Sequence, residues 1–379
     1  MGTAVAWFLA DHPGFEGSVL VIERDPSYEL SSTAHTNSCL RQQFSQPANV
    51  RVSQFGLEYV RNFRRFMGGD PSIASLHFHP FGYMYLASSK TGARTLREAQ
   101  VMQVGLGAKT RLLDRRQLAR EFPFYDLKGI VLGSHNTDEG YFDGITMFDC
   151  WRRKARATGV EYVRGEVTGI TRSGPRIDAV HLQNGTKIAC GQVVNASGPR
   201  AAGVAAMAGL DLPVEPRKRY TFVFEAARPL EQDLPLTVDP SGVHVRTDGS
   251  MYMAGCPARE DGPVAADDFV ADHDLWQEVV WPAIAARIPQ FDALKLRRSW
   301  VGHYAYNTLD QNAILGPHPD ADNFLMINGF SGHGLQQAPA MGRGLAEWIT
   351  LGRYETLDLS PFSYDRIRAG QPLLEQAVI

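Results

Sequence analysis

Gly2-Thr3-Ala4-Val5-Ala6-Trp7-Phe8-Leu9-Ala10, then Asp11-His12-Pro13-Gly14, then Ser18-Val19-Leu20-Val21-Ile22-Glu23: this opening stretch decides the fold. The small and apolar run that starts at Met1 reads as a helix, and Asp11 to Gly14 supplies its polar, proline-and-glycine stop. Ser18 to Ile22 is then a short buried strand delivered into an acid. A dinucleotide-binding unit has this shape after its first strand. Its helix points its N-terminus at a pyrophosphate, and an acid about 20 residues further on holds a ribose hydroxyl. Gly2 fits the last glycine of G-x-G-x-x-G and Glu23 fits the acid, 21 positions later. The preceding strand and the first two glycines are absent from the chain. A single glycine and an acid also fit ordinary α/β packing, so other segments have to decide.

Those segments lie further along. Ser31-Ser32-Thr33-Ala34-His35-Thr36-Asn37-Ser38-Cys39 is small and polar, suited to lie against a ligand and poorly suited to a core. Gly165 to Ile170 opens a strand pair closed by the turn Gln183-Asn184-Gly185, and Lys187 to Val194 reads as an apolar strand running into Asn195-Ala196-Ser197-Gly198. Phe324 to Asn328 is another strand, followed by Gly329-Phe330-Ser331-Gly332-His333-Gly334 and a helix from about Leu335 to Ile349. Three strand-to-glycine turns share one purpose, bringing backbone amides close to a large ligand.

Composition narrows the classes. The 379 residues suit two domains, and 44% hydrophobic with 21% charged residues is ordinary for a globular chain. Lys plus Arg at 38 against Asp plus Glu at 41 leaves no basic stripe to follow nucleic acid. Cys39, Cys150, Cys190 and Cys256 are too scattered for a zinc set or a disulfide framework and read as buried thiols of a reducing compartment. No apolar run reaches the roughly 18 residues of a membrane span, and no signal peptide is legible at the start, so the expected location is cytoplasmic.

With these segments in view, the chain resembles the glycine-oxidase, sarcosine-oxidase and D-amino-acid-oxidase superfamily of FAD enzymes, including a branch linked to assembly of respiratory complex I. The resemblance is carried by Leu20 to Asp25, Arg41-Gln42-Gln43-Phe44-Ser45, Leu212 to Tyr220, Tyr306 to Asn312 and Gly329 to Pro339, and it runs nearly end to end. It implies a glutathione-reductase-like, Rossmann-type α/β domain for FAD, assembled from residues 1–46, 139–210 and 296–379. An inserted α+β substrate domain, mainly antiparallel sheet, would come from 47–138 and 211–295. Within these, Asp143 caps a helix that carries Ile145, Phe148 and Ala155 inward and ends at Gly159. Arg217 to Glu225 reads as a strand, and Trp276 to Ile288 as a helix on the back of its sheet.

The resemblance also implies the site. Gly2, Glu23, Arg24, Thr33, Ala34, His35, Arg41, Gln42, Val167, Ala196, Gly198, Gly329, Gly332, His333, Gly334, Leu335 and Gln336 would face FAD, and Arg41, His333 and Tyr304 would carry the chemistry. Hydride transfer leaves negative charge near the pyrimidine end of a flavin, which the amides at Gly332-His333-Gly334 suit. His333 reads equally as a turn residue chosen for its conformation. Arg41 takes the place of an arginine that grips a substrate carboxylate with its fork; a salt bridge to the neighbouring domain or a contact to the cofactor is its other reading.

Departures from the family sharpen the expectation. A lysine that follows the G-H-G turn elsewhere is Gln336 here, which argues against a simple glycine-derived substrate. Met251 to Pro257 offers no lysine to assist oxygen reduction, so a dehydrogenase is expected rather than an oxidase. Tyr304 stands where relatives tether the flavin through cysteine, which removes that thioether. His35 roughly matches a histidine that bonds the flavin in dimethylglycine-dehydrogenase relatives. No second G-x-G-x-x-G serves a nicotinamide, because Gly105-Leu106-Gly107 reads as a loop and Gly342-Arg343-Gly344 as a helix face. The expected partners are therefore an amine or amino-acid-like substrate and a separate acceptor, a quinone or an electron-transfer protein. The rival reading is a non-catalytic flavoprotein that works as an assembly or docking factor. His77-x-His79 lacks a third ligand, so no metal is expected. Arg61, Arg64 and Arg65, on a helix starting near Pro47, and Arg152, Arg153, Lys154 and Arg156 read as solvated faces. Finally, the missing first strand leads to the expectation that Met1 is an internal methionine and that the functional start lies upstream.

Overall fold

The computed structural model describes residues 1–376. The opening helix spans Gly2–Asp11, and it is buried from Thr3 to Leu9 on all sides. A helix apolar all round belongs inside. It packs between the helix Gly144–Ala157 and the long helix Gly334–Leu351. Gly342 is what lets the long helix approach, since a Cβ there would stand 2.7 Å from the Ala4 Cβ. Gly342-Arg343-Gly344 is thus a packing face, in keeping with the sequence reading.

The nucleotide-binding half carries its strands in two pieces. Leu20–Glu23 pairs in parallel with Glu161–Arg164, while Val193–Asn195 pairs in parallel with Ala321–Asn328, which is also antiparallel to Ile314–His318. Among the described residues Leu20–Glu23 and Val193–Asn195 each have one unpaired edge, and both line the same cavity. A hairpin sheet of Val167–Ser173, Arg176–Leu182 and Lys187–Ala189 sits beside them. The expected single strand from Lys187 to Val194 is therefore two strands. Cys190-Gly191-Gln192 breaks the run, and its halves join different sheets.

The second half is an eight-stranded sheet in the order Leu294–Asn307, Val214–Ala226, Met251–Pro257, His244–Asp248, Leu236–Val238, Tyr83–Ala87, Leu132–Asn136 and Arg111–Leu113. All its pairings are antiparallel except that of Leu236–Val238 with Tyr83–Ala87. Tyr220, Phe222 and Phe224 alternate to the back of this sheet and pack against Trp276, which opens a π-helical turn continued by the helix Trp281–Arg287. The fold is thus Rossmann-type α/β with a mainly antiparallel partner.

Two of the sequence boundaries move. The helix Pro47–Arg61 and Phe63 belong with the nucleotide half, because Val52, Tyr59, Val60 and Phe63 share a core with Trp7, Trp151 and Met341. Trp151 Nε1 donates to Tyr59 Oη at 2.8 Å inside that core. The strand Leu294–Asn307, expected in the nucleotide half from 296, pairs along its length with Val214–Ala226 and so belongs to the large sheet.

Asp143 does cap Gly144–Ala157, accepting from the Thr146 amide at 3.0 Å. Ile145, expected inward, is exposed; Met147, Cys150, Trp151 and Ala155 face the core, three and four apart. Asp143→Ala is expected to lower stability by about 1 kcal/mol through the lost cap, read as a shift in the urea midpoint with an unchanged slope. An unchanged midpoint would show that the Thr146 amide finds another acceptor.

All four cysteines are free, and only Cys150 and Cys256 are buried; Cys39 and Cys190 are half-buried on the cavity wall, which corrects the expectation of four buried thiols. Among the described residues no helix is long and apolar enough to cross a membrane, and no group of three His, Cys, Asp or Glu stands ready for a metal.

Candidate functional site

One cavity of about 1160 Å³ runs between the two halves. A volume of this order suits a dinucleotide-sized ligand better than a small metabolite alone. Its nucleotide end is walled by Gly2, the edge of Leu20–Glu23, Arg24, Thr33, His35, Val167, Ala196 and Gly198. Gly2 lies close under Ala196, since a Cβ on it would be 3.4 Å from the Ala196 Cβ. Glu23 Oε1 accepts from the Asp25 amide at 2.9 Å, and burial pushes the carboxyl up while the Asp25 amide pulls it down. Arg24 pairs with Glu166 at 3.6 Å.

The other end is closed by the Gly332-His333-Gly334 turn, Leu335, Gln336, Arg41 and the face of the large sheet. Gly332 holds φ at +96°, and a Cβ there would lie 2.3 Å from the Tyr304 ring, so the turn and Tyr304 are in direct contact. His333 starts the long helix without a side-chain cap bond, leaving the first-turn amides open toward the cavity side. Three sequence-derived candidates stand off the wall: Ala34, Gln42 and Gly329. Gln42 is buried and gives its amide to Glu139, and Gly329 packs against Asn307 and Val214.

Arg41 lines the cavity while being only 2% exposed. Its Nη1 donates to Gln43 O at 2.9 Å and to Tyr85 Oη at 2.5 Å, and its Nη2 meets His333 Nε2 at 2.8 Å. The guanidinium also lies over Phe44, 4.1 Å from the ring centroid. Gln336, which replaces the family's lysine, accepts from the Arg41 amide at 2.7 Å. An arginine has no acceptor, so His333 Nε2 accepts and the proton sits on Nδ1. Burial first, and the Arg41 charge second, hold the His333 pKa well below 6.5, which keeps the ring neutral.

Arg219, Thr221 and His244 are among the wall residues that the sequence reading did not name as site candidates, and Asn37 was read only as part of the Ser31 to Cys39 stretch. Arg219 and Thr221 share the cavity face of Val214–Ala226, and the Arg219 guanidinium lies 4.5 Å from the Tyr304 ring centroid. Asn37 Nδ2 and His244 Nε2 are 3.0 Å apart on the same wall, and burial lowers the His244 pKa to about 4. The signal for Arg219 was present in the strand itself: with Tyr220, Phe222 and Phe224 at period two, Arg219 and Thr221 must take the opposite face.

His77 and His79 have rings 6.3 Å apart, and His79 Nε2 lies 2.8 Å from Asp233 instead of converging on a third ligand. His35 gives Nδ1–H to Ser31 O at 3.0 Å, with its ring against Phe269.

A two-part cavity, with an acid and glycine turns at one end and a sheet-borne polar wall at the other, defines an oxidoreductase built on a bound dinucleotide. The family model described as FAD dependent oxidoreductase matches residues 1–348, and the chain belongs to that family. Its cofactor is FAD. The chain is 38% identical to the Xenopus laevis FAD-dependent oxidoreductase domain-containing protein 1, over 100% of this chain and 83% of that protein. Among solved structures it is similar to L-proline dehydrogenase from P. horikoshii, with a TM-score of 0.83 and 26% identity over 98% of this chain and 96% of that one. Glycine oxidase from Geobacillus kaustophilus shares the fold, with a TM-score of 0.78 and 18% identity over 95% and 94% of the two chains.

Proposed function

We propose that this protein is a dehydrogenase that removes a hydride from the carbon beside an amine nitrogen in an amine or amino-acid-like substrate. The observation that carries the reading is the meeting of Arg41, His333, Tyr304 and Arg219 at the sheet-borne end of the FAD cavity. FAD, when bound, supplies the hydride acceptor.

In this reading Glu23 holds the adenosine ribose. Gly2, Ala196 and Gly198 let backbone approach the cofactor closely, and the open amides at Gly334 and Leu335 face developing negative charge. Arg41, its fork already held by Gln43, Tyr85 and His333, places positive charge near a substrate carboxylate. His333 stays neutral and offers Nδ1–H at the cavity. Tyr304, with Arg219 over its ring, shapes the place where the amine sits.

The preference for a dehydrogenase is supported by the wall itself. Cys256 and Pro257 occupy the strand end where a lysine would aid oxygen, and the side-chain cations of the wall are arginines: Arg24, Arg41, Arg200 and Arg219. Electrons would then leave to a quinone or an electron-transfer protein.

The test is anaerobic bleaching of the FAD-loaded protein by N-methylated glycines, D-amino acids, cyclic imino acids such as L-proline and simple amines. At least one is expected to bleach the flavin within seconds, with slow recolouring in air and fast recolouring with a quinone analogue. Fast recolouring in air would make it an oxidase. A flavin untouched by the whole panel would favour the assembly or docking role.

A further inference from the structure

Glu139 is fully buried at the turn between Leu132–Asn136 and Gly140–Phe142, and the reaction proposed above gives it no task. A carboxylate taken out of water is costly unless donors satisfy it. Here all its hydrogen-bond donors come from one short segment. Oε1 accepts from the amides of Gln42 at 2.6 Å and Gln43 at 3.0 Å, and Oε2 accepts from Gln43 Nε2 at 2.8 Å. Ser134 Oγ donates to Gln43 Oε1 at 2.7 Å, which fixes the amide the right way round for that contact.

The segment so held follows Arg41 directly. Gln43 O accepts from Arg41 Nη1, and Arg41 Nη2 donates to His333 Nε2. A continuous line of contacts therefore leads from Glu139 through the Gln42–Gln43 backbone to the guanidinium and on to the imidazole that starts the long helix. We infer that Glu139 is a positioning residue, which aims Arg41 and through it holds His333 in the Nδ1-protonated form. The inference rests on the roles given to Arg41 and His333 above.

The charge state of Glu139 adds a second readout. Burial pushes its carboxyl up to about 8, against the opposing pull of Gln43, the Gln42 amide and Arg41. A carboxyl raised on folding keeps a proton that the unfolded chain releases from about pH 4.5 upward. Its effect on stability is therefore favourable below that pH and lost as pH rises toward 8. The positioning contacts carry the opposite sign, because all of them donate to the carboxylate and are strongest when it is ionised. Stability declines over this window while the aim of Arg41 improves.

The experiment compares, above pH 8, where wild-type Glu139 is ionised, FAD-loaded wild type with Glu139→Gln by ¹⁵N NMR of labelled histidine, the His333 signal being assigned by its loss in His333→Gln. In wild type His333 is expected to show one protonated Nδ1 and one bare Nε2. In Glu139→Gln a mixture of tautomers is expected at unchanged flavin content, with the KM of an amine that bleaches the flavin raised about tenfold, the size of one lost hydrogen bond. The decline of the urea midpoint between pH 5 and 8 should also flatten. A His333 signal identical to wild type in Glu139→Gln overturns the inference. If that variant does not fold, Glu139→Asp, which keeps the carboxylate but withdraws it by one methylene, is read in the same way. The NMR reading needs no turnover, so a failed substrate panel would defeat the proposed reaction without touching this result.

Discussion

Gly332→Ala is expected to release the flavin while leaving the fold standing. The residue holds φ at +96°, and a Cβ there would lie 2.3, 2.5 and 2.6 Å from the Cζ, Cε2 and Oη of Tyr304. The conformation alone costs about 1–3 kcal/mol for a residue with a side chain. The overlap adds more, because Tyr304 cannot easily retreat. Its ring is covered by the Arg219 guanidinium, which is itself held by Asp261 at 2.6 Å. The turn must therefore give way, and it carries the first amides of the long helix out of line. FAD affinity is expected to fall more than tenfold, and the melting temperature by only a few degrees, since the core around Met341 and Leu345 is untouched. The visible-to-ultraviolet absorbance ratio after gel filtration reads the first quantity and thermal unfolding the second. Gly332→Ala combined with Tyr304→Ala removes the overlap but keeps the backbone strain, so it should regain part of the flavin. Full flavin retention by the single variant would show that this turn does not meet the cofactor.

Much of the nucleotide half was legible because its signals are local. Pro13-Gly14 stops a helix, Asp143 starts one, and the spacing from Gly2 to Glu23 needs no knowledge of distant contacts. The errors fall where a choice is made by something far away. Pro47 to Phe63 is amphipathic in either half, and only the fit of Tyr59 against Trp151 and Phe8 decides which core receives it. Ile145 looked inward by composition, but a helix that starts at Gly144 and buries Met147 and Trp151 puts it on the opposite side. Gly191 sits inside an apolar run and still splits it, because each half pairs with a different sheet.

The site divides in the same way. The glycine turns and Glu23 announce themselves, whereas Glu139 gave no sign, since its donors lie 96 and 97 residues away in the chain. Arg41 was found as a residue but not as an arrangement. Its fork is already engaged by Tyr85, Gln43 and His333, so it acts as part of a network and not as a lone cation.

That network makes Arg41→Ala the second large expected effect. The change removes the guanidinium proposed to meet a substrate carboxylate, and it leaves His333 Nε2, Tyr85 Oη and Gln43 O without the donor they share. Losing the guanidinium charge beside a substrate carboxylate costs roughly 1.5–3 kcal/mol, the range for one hydrogen bond to a charged group, so kcat/KM should fall by at least about tenfold. FAD content is expected to change little, because Gly2, Glu23, Ala196 and Gly198 lie at the other end of the wall. Arg41→Lys separates charge from geometry. It restores one cation but neither the fork nor the simultaneous contact to Gln43 and His333, so it should recover only a small part of the loss. The His333 pKa gives an independent reading. It is held low first by burial and second by the Arg41 charge, so it should rise in Arg41→Ala and stay low in Arg41→Lys. If Arg41→Ala instead loses flavin and shows unchanged kinetics for each flavin retained, Arg41 serves the cofactor and the substrate carboxylate must be held by another cation of the wall, with Arg219 the next to replace.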